Sequence, residues 1–99
     1  MKKTFSIIVI VMTLCLFGLG SHASADYAAG VTAYKKHQYA ECINQLKVYT
    51  DRTPDTRAYY LMGYASYKLK NYEEAREYFR KAYLLDPNFR PASLGVNQP

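Results

Sequence analysis

Apolar and polar residues follow two different patterns along this chain. Residues 5–17 form an apolar run without a charged residue, directly after the basic start Lys2-Lys3. Beyond residue 26, large apolar and aromatic residues instead recur at steps of three and four among charged ones. The first pattern is typical of a targeting or membrane segment, and the second predicts amphipathic helices that pack against one another.

The N-terminal apolar run has the layout of a secretory signal. Small residues follow it at Ala23-Ser24-Ala25, which places a signal peptidase site before Asp26. We therefore expect residues 1–25 to be removed and the protein to be exported, either to the periplasm or out of the cell. The alternative is a membrane anchor at residues 5–20, although this run falls short of the ~20 apolar residues that cross a bilayer.

The remaining pattern predicts four helices in two hairpins. We expect them over about Asp26–Lys36, about Tyr39–Asp51, Thr56–Leu69, and from Asn71 to the Asp86-Pro87 pair. The third helix has an inward stripe of Tyr59, Met62, Gly63, Ser66 and Leu69. At the start of the fourth, Asn71 and Glu74 have the spacing of a reciprocal cap, in which each side chain accepts a hydrogen bond from the other residue's backbone.

The two hairpins repeat one another at a spacing of 33 residues. This shift aligns Tyr27 with Tyr60, Gly30 with Gly63, Tyr34 with Tyr67, Lys35 with Lys68, Tyr39 with Tyr72, Glu41 with Glu74, and Pro54 with Pro87. A period in the low thirties is typical of stacked two-helix units. We therefore predict one unit over residues 26–55, a second over 56–88, and a C-terminal tail over 89–99 that is disordered.

The second unit resembles a tetratricopeptide repeat nearly position for position. The residues that carry the resemblance are Tyr59, Met62, Gly63, Ala75, Phe79, Ala82 and Pro87. Their counterparts in the first unit include Gly30, Cys42, Leu46 and Pro54. The resemblance implies an all-α fold of tandem helix-turn-helix hairpins, a short α-solenoid, in which Gly63 and Ala75 let two helices approach closely while Phe79 fills the space between units.

The first unit departs from this family pattern. Asp26 and Ala29 stand where an aromatic and a large apolar residue are usual, and bulky Tyr49 replaces a small residue of the second helix. We therefore expect the first unit to be the less stable of the two.

Membership of this family would also imply a binding surface. In tetratricopeptide proteins, the first helices of successive repeats line a concave groove that holds a peptide or another protein. The corresponding positions are Tyr27, Val31, Tyr34 and Lys35 in the first unit and Arg57, Tyr60, Leu61, Tyr64, Tyr67 and Lys68 in the second. Such a groove would be aromatic with a basic edge, and Tyr suits recognition because it is rigid and amphipathic. Packing of Tyr27 and Tyr34 against a neighbouring helix is an equally good interpretation of those two residues.

Charge changes this picture little. The chain carries a formal +5, which falls to +3 without Lys2 and Lys3, and its basic residues are spread among acids. We therefore expect no nucleic-acid partner, and a membrane contact only if residues 1–25 are retained. All 11 Tyr lie beyond residue 25, whereas Trp is absent.

No set of residues points to catalysis. His37 lies in the predicted turn of the first hairpin, and Cys42 fits a small buried position, without a disulfide partner once Cys15 is removed. Glu73 and Glu77 belong to a solvated helix start rather than to an acid-base pair. We expect no enzyme activity, no cofactor and no metal ion.

Two functions remain open. The leading hypothesis is an exported adaptor that binds a peptide or helical segment of an envelope or secreted protein. The alternative is a structural subunit whose groove is filled by a copy of itself or by a permanent envelope assembly.

Overall fold

A computed structural model describes residues 26–97 and 99 and shows four α-helices in that part of the chain. They are α1 (Tyr27–Lys35), α2 (Tyr39–Arg52), α3 (Thr56–Lys68) and α4 (Tyr72–Leu85), and a short 3-10 helix follows at Pro91–Leu94. The predicted all-α fold of two hairpins is confirmed, and each predicted boundary is met within one or two residues. The predicted signal peptide lies outside the described residues. No helix in the described part is long and apolar enough to cross a membrane.

The first helix of each hairpin begins with an aspartate cap. Asp26 accepts a hydrogen bond from the Ala29 backbone N–H at 2.8 Å, and Asp55 accepts one from the Arg57 backbone N–H at 3.0 Å. These bonds satisfy N–H groups that have no partner within the helix. The capped ends fix where both first helices start.

The second helices begin differently, and the predicted reciprocal cap at Asn71 is wrong. Asn71 makes no side-chain cap bond, and its backbone, with φ −89° and ψ 73°, is not in the extended conformation usual at a helix cap. Glu74 instead accepts a hydrogen bond from the Tyr78 hydroxyl at 3.2 Å and lies 3.9 Å from the Lys47 ammonium. The preceding turn fixes the backbone there, so the side chain of Asn71 cannot serve as a cap.

That turn is the same in both hairpins. His37 and Lys70 are left-handed, with φ 60° and 64°, and the N–H of the next residue donates back to the first helix at 2.9 Å in each case. Both turns are therefore Schellman motifs, which close a helix by bonding its last carbonyls. The 33-residue spacing seen in the sequence also holds for the helices: a shift of 33 residues maps α2 onto α4 from end to end.

The core is one cluster that draws residues from all four helices and Leu94 from the 3-10 helix. Leu46, Leu61, Met62 and Cys42 have no exposed surface. A Cβ on Gly63 would lie 2.6 Å from Cδ1 of Phe79, and one on Gly30 would overlap the side chain of Leu46. The predicted close approach of the two helices in each hairpin is therefore confirmed. The inward position of Leu69 is wrong, because α3 ends at Lys68 and Leu69 turns 40% of its surface to solvent.

The C-terminal tail is ordered, contrary to the prediction. After α4 the chain turns back along α3, and the 3-10 helix packs against it and buries Leu94 to 9% exposure. Gly95, with φ 70°, ends this helix in a conformation that favours glycine. Phe89 and Val96 pack on the same core cluster. Apolar residues in the tail thus find a surface, and this offsets the entropy of ordering it.

Candidate functional site: the groove of the first helices

The groove is the side of the molecule formed by α1 and α3. Aromatic rings line α3 here: Tyr60 lies 6.3 Å from Tyr64 between ring centroids, and Phe79 of α4 lies under both, at 5.9 and 5.5 Å. Tyr34 of α1 faces the same side and is 5% exposed. Tilted and edge-to-face rings at these distances form a rigid apolar floor.

The predicted groove residues fall into three groups by exposure. Leu61, Tyr34 and Tyr64 are buried; Tyr27, Val31 and Tyr60 are half-buried; Lys35, Arg57, Tyr67 and Lys68 are exposed. Leu61 belongs to the buried core and has no exposed surface when the tail lies on α3, so its role as a contact residue stays a prediction. Tyr34 and Tyr64 are buried in the floor of the groove and are not exposed anchors. This agrees with the packing interpretation for Tyr34.

The groove is already occupied by the tail. Phe89 stacks on Tyr60 with ring centroids 5.2 Å apart and planes inclined at 24°. At the other end, the Tyr34 hydroxyl donates a hydrogen bond of 2.9 Å to the backbone C=O of Asn97. The tail thereby touches both first helices and covers the aromatic floor. Sequence reasoning missed it because Pro91 and Pro99 favoured disorder; the signal that could have revealed it is the apolar set Phe89, Leu94 and Val96.

The basic edge at the N-terminal end of α3 is tied to a neighbouring acid. Arg57 donates to Asp55 from Nε and Nη2 at 3.1 and 2.7 Å, and its guanidinium lies 4.2 Å from the ring centre of Tyr27. The Tyr49 hydroxyl donates to the same carboxylate at 2.8 Å. Arg57 therefore links the two hairpins through its contact with Tyr27, and Asp55 offsets its charge.

Burial and hydrogen bonds within this cluster set the protonation states of Asp55 and Tyr49. Burial alone raises the pKa of Asp55, but the hydrogen bonds from Arg57 and Tyr49 outweigh it and hold that pKa below its usual 3.8. The hydrogen bond to Asp55 and burial raise the pKa of the Tyr49 hydroxyl. Near neutral pH the carboxylate is charged and the phenol is a donor, as the geometry requires.

A pocket lies at the opposite end of the groove, beside Asn97. It is lined by Tyr34, Lys35, His37, Tyr39, Lys68, Val96 and Asn97. Lys35 and Lys68 are the last residues of α1 and α3, and neither pairs with a carboxylate among the described residues. His37 contacts the Tyr39 hydroxyl at 2.8 Å and stays in the turn where the sequence placed it. This pocket is therefore the cationic part of the groove.

The buried titratable groups are unsuited to chemistry. Burial raises the pKa of the Cys42 thiol and of the Tyr34 hydroxyl to about 12 each, so both are protonated near neutral pH. Cys42 is a free, fully buried thiol, as expected of a residue that fills a small core position. Within the described part of the chain, no group of three His, Cys, Asp or Glu residues could hold a metal ion.

The sequence profile of the tetratricopeptide repeat matches residues 56–89. This span contains α3, the second turn and α4. Residues 56–89 are a tetratricopeptide repeat. Such repeats are units of protein–protein interaction, which gives the chain its broad function. Comparison with curated proteins and with solved structures found no match.

The first helix of the tetratricopeptide repeat is α3, which lines the groove. The match ends at Phe89, so the aromatic residue that stacks on Tyr60 is the last residue of the repeat. Residues 26–55 lie outside the match, in agreement with the departures at Asp26, Ala29 and Tyr49. Even so, the turn at His37 and the bounds of α2 follow the repeat.

Proposed function

We propose that this chain is an exported adaptor that holds a segment of an envelope or secreted protein against α1 and α3. The observation that carries the proposal is the aromatic groove, which already accommodates a largely non-helical segment, the chain's own tail. A surface that binds nine residues in cis has the shape and the donors to bind a similar segment in trans. Tetratricopeptide repeats bind proteins, and this supports the same reading.

Export is the second part of the proposal, and its support is the signal-like sequence of residues 1–25. The intact mass of protein recovered from the exporting host tests it. We expect a chain that begins at Asp26 in the fraction outside the cytoplasmic membrane. A mass that includes residues 1–25, found with the membranes, would replace the exported form with an anchored one.

Capture from an envelope extract tests the adaptor itself. The tagged protein should retain a defined partner, and Lys68→Gln should weaken that retention because it removes a groove cation. Lys81→Gln is the matched control: it removes one exposed charge from α4, outside the groove. Equal retention by both variants would place the partner elsewhere on the molecule.

An assembly subunit is the second candidate, and one observation favours it. Tyr83 is 58% exposed on α4, whereas its counterpart in the first unit, Thr50, is 8% exposed. The end of the solenoid thus presents a large side chain where a further repeat would pack. Size exclusion at two concentrations separates the candidates: the adaptor remains a monomer, and the subunit shifts to a larger species as concentration rises.

A further inference from the structure

The tail binds the groove through three separate contacts. Phe89 stacks on Tyr60, Leu94 is buried against α3 five residues later, and the Asn97 carbonyl accepts from Tyr34. Two of these are side-chain contacts with a fixed spacing, and the third uses only the backbone. The groove therefore holds an aromatic residue, an aliphatic residue five positions on, and the backbone of the stretch after it.

The tail leaves one feature of the groove unused. Lys35 and Lys68 flank the pocket beside Asn97, yet neither pairs with a carboxylate among the described residues. No acidic residue occurs in the chain after Asp86. A segment that has an acidic residue at the position of Asn97 would make the same apolar contacts and would also meet these two cations.

We propose that residues 89–97 are a built-in, displaceable occupant of the groove, and that the segment that replaces them carries an aromatic residue, an aliphatic residue five positions later and an acidic residue three positions after that. The choice of partner rests on the proposed function; the tail's role as occupant does not. Because the tail is tethered, it competes at an effective concentration in the millimolar range. The partner's apparent affinity is then its intrinsic affinity multiplied by the fraction of molecules with an open groove.

A tryptophan reporter measures the occupant directly. The chain has no Trp, so Phe89→Trp gives a single indole signal. The gene for the whole chain is expressed, and the protein is purified in the form that the host produces. The introduced indole should stack on Tyr60 and emit at short wavelength. Adding Tyr60→Ala should shift the emission to that of a solvated indole, whereas Leu84→Ala, on the exposed side of α4, should leave it unchanged.

Displacement is measured with two peptides. One has the sequence of residues 88–97 with an amidated C-terminus, and the other is identical except for Asn97→Asp. Both should shift the reporter to longer wavelength, and the acidic peptide should do so at about fivefold lower concentration, as expected for an exposed ion pair. This advantage should disappear in the Lys35→Gln, Lys68→Gln protein and at high salt.

Two results would overturn the proposal. A solvated emission that Tyr60→Ala does not change would show that the tail is not docked, and a buried emission that neither peptide shifts at millimolar concentration would show that it is a fixed part of the fold. If Phe89→Trp does not fold, hydrogen exchange on the unsubstituted chain replaces it, with faster exchange of residues 92–97 expected when either peptide is added. If the peptides displace the tail but the capture experiment yields no partner, the proposed function is rejected and the role of the tail as occupant is retained. If a partner is captured but the tail is not displaced, the role of the tail is rejected and the proposed function is retained.

Discussion

At the scale of single residues, Gly63 shows how a family position acts through sterics. Its missing side chain lets the Phe79 ring lie against the α3 backbone, where a Cβ would come within 2.6 Å of Cδ1. Such a contact forces either the ring or the helix to move, and overpacking of this kind costs about 1 to 3 kcal/mol. The gain in helix propensity from Gly to Ala is only about 1 kcal/mol, so the steric cost should prevail.

Gly63→Ala should therefore lower the free energy of unfolding by about 1 kcal/mol. Denaturant unfolding followed by circular dichroism measures this. Phe79→Leu removes the ring and should shrink or reverse the cost of the same substitution, because the two residues are in direct contact. An equal cost of Gly63→Ala with and without the ring would refute the account of this position.

Asp55 is the second residue whose role can be tested alone. It caps α3 and accepts hydrogen bonds from Arg57 and Tyr49, and these contacts lower its pKa below 3.8. A carboxyl group with a lowered folded pKa stabilises the fold at pH values above its unfolded pKa, and it loses that effect as pH falls through the folded pKa. Asp55→Ala should cost about 1 kcal/mol at pH 7, as the loss of a cap does.

The pH dependence distinguishes this role from simple packing. The difference in unfolding free energy between the wild-type protein and Asp55→Ala should shrink as pH falls below 3.8, where the carboxylate becomes protonated. Asp55→Asn is the control, because it retains a cap acceptor without the charge. A difference that stays constant from pH 7 to pH 2 would mean that the charge contributes nothing.

At the scale of helices and turns, both hairpins close through a residue that is not glycine in the left-handed conformation. Lys70 and His37 occupy this position with φ 64° and 60°, at a cost of roughly 1 to 2 kcal/mol for a residue with a Cβ. Lys70→Gly should therefore raise the free energy of unfolding by about 0.5 to 1 kcal/mol, since the greater entropy of glycine in the unfolded chain offsets part of the gain.

Thermal unfolding of the two matched glycine variants tests this. Lys68→Gly, two residues earlier and still inside α3, should instead destabilise by about 1 kcal/mol. Opposite signs at positions 68 and 70 would locate the helix end as described. Two losses of the same size would mean that residue 70 is not left-handed in solution.

The helices could be predicted from the sequence because each carries its own periodicity and breaker. Steps of three and four residues fix the inward faces, and the 33-residue shift fixes the pairing of the units, so α2 and α4 were placed within a residue. The absence of a side-chain cap at Asn71 could not be inferred, because the backbone there follows from the Schellman turn at Lys70 rather than from local preference. The full burial of Leu61 depends on contacts beyond its own helix, and the pattern of α3 alone does not contain them.

The tail could not be predicted for a related reason. Its proline content favours disorder locally, and its order depends on a surface that exists only once α1 and α3 are side by side. Phe89 and Leu94 pack on residues of the helices, Tyr60 of α3 above all. Long-range apolar burial outweighed local preference here.

At the scale of the whole molecule, two hairpins form a short solenoid. Three repeats are usually needed for independent stability, because each hairpin buries its apolar face only against neighbours. The tail supplies part of the missing third layer by covering Tyr60 and Tyr34. Tyr83 and Leu84 stay exposed on α4, at 58% and 69%. The molecule thus has a covered groove and an uncovered end, and the two proposed functions use different ones.

Site-specific photocrosslinking in the exporting host tests the central claim, that a partner is held in the groove. Tyr67 in α3 and Tyr83 in α4 form a matched pair, being 48% and 58% exposed. Each is replaced in turn by a photoreactive benzophenone analogue of phenylalanine, which preserves an aromatic side chain. The account predicts a crosslinked partner from position 67 and none from position 83. A crosslink from position 83 alone would contradict it and would identify the exposed end of the solenoid as the interface.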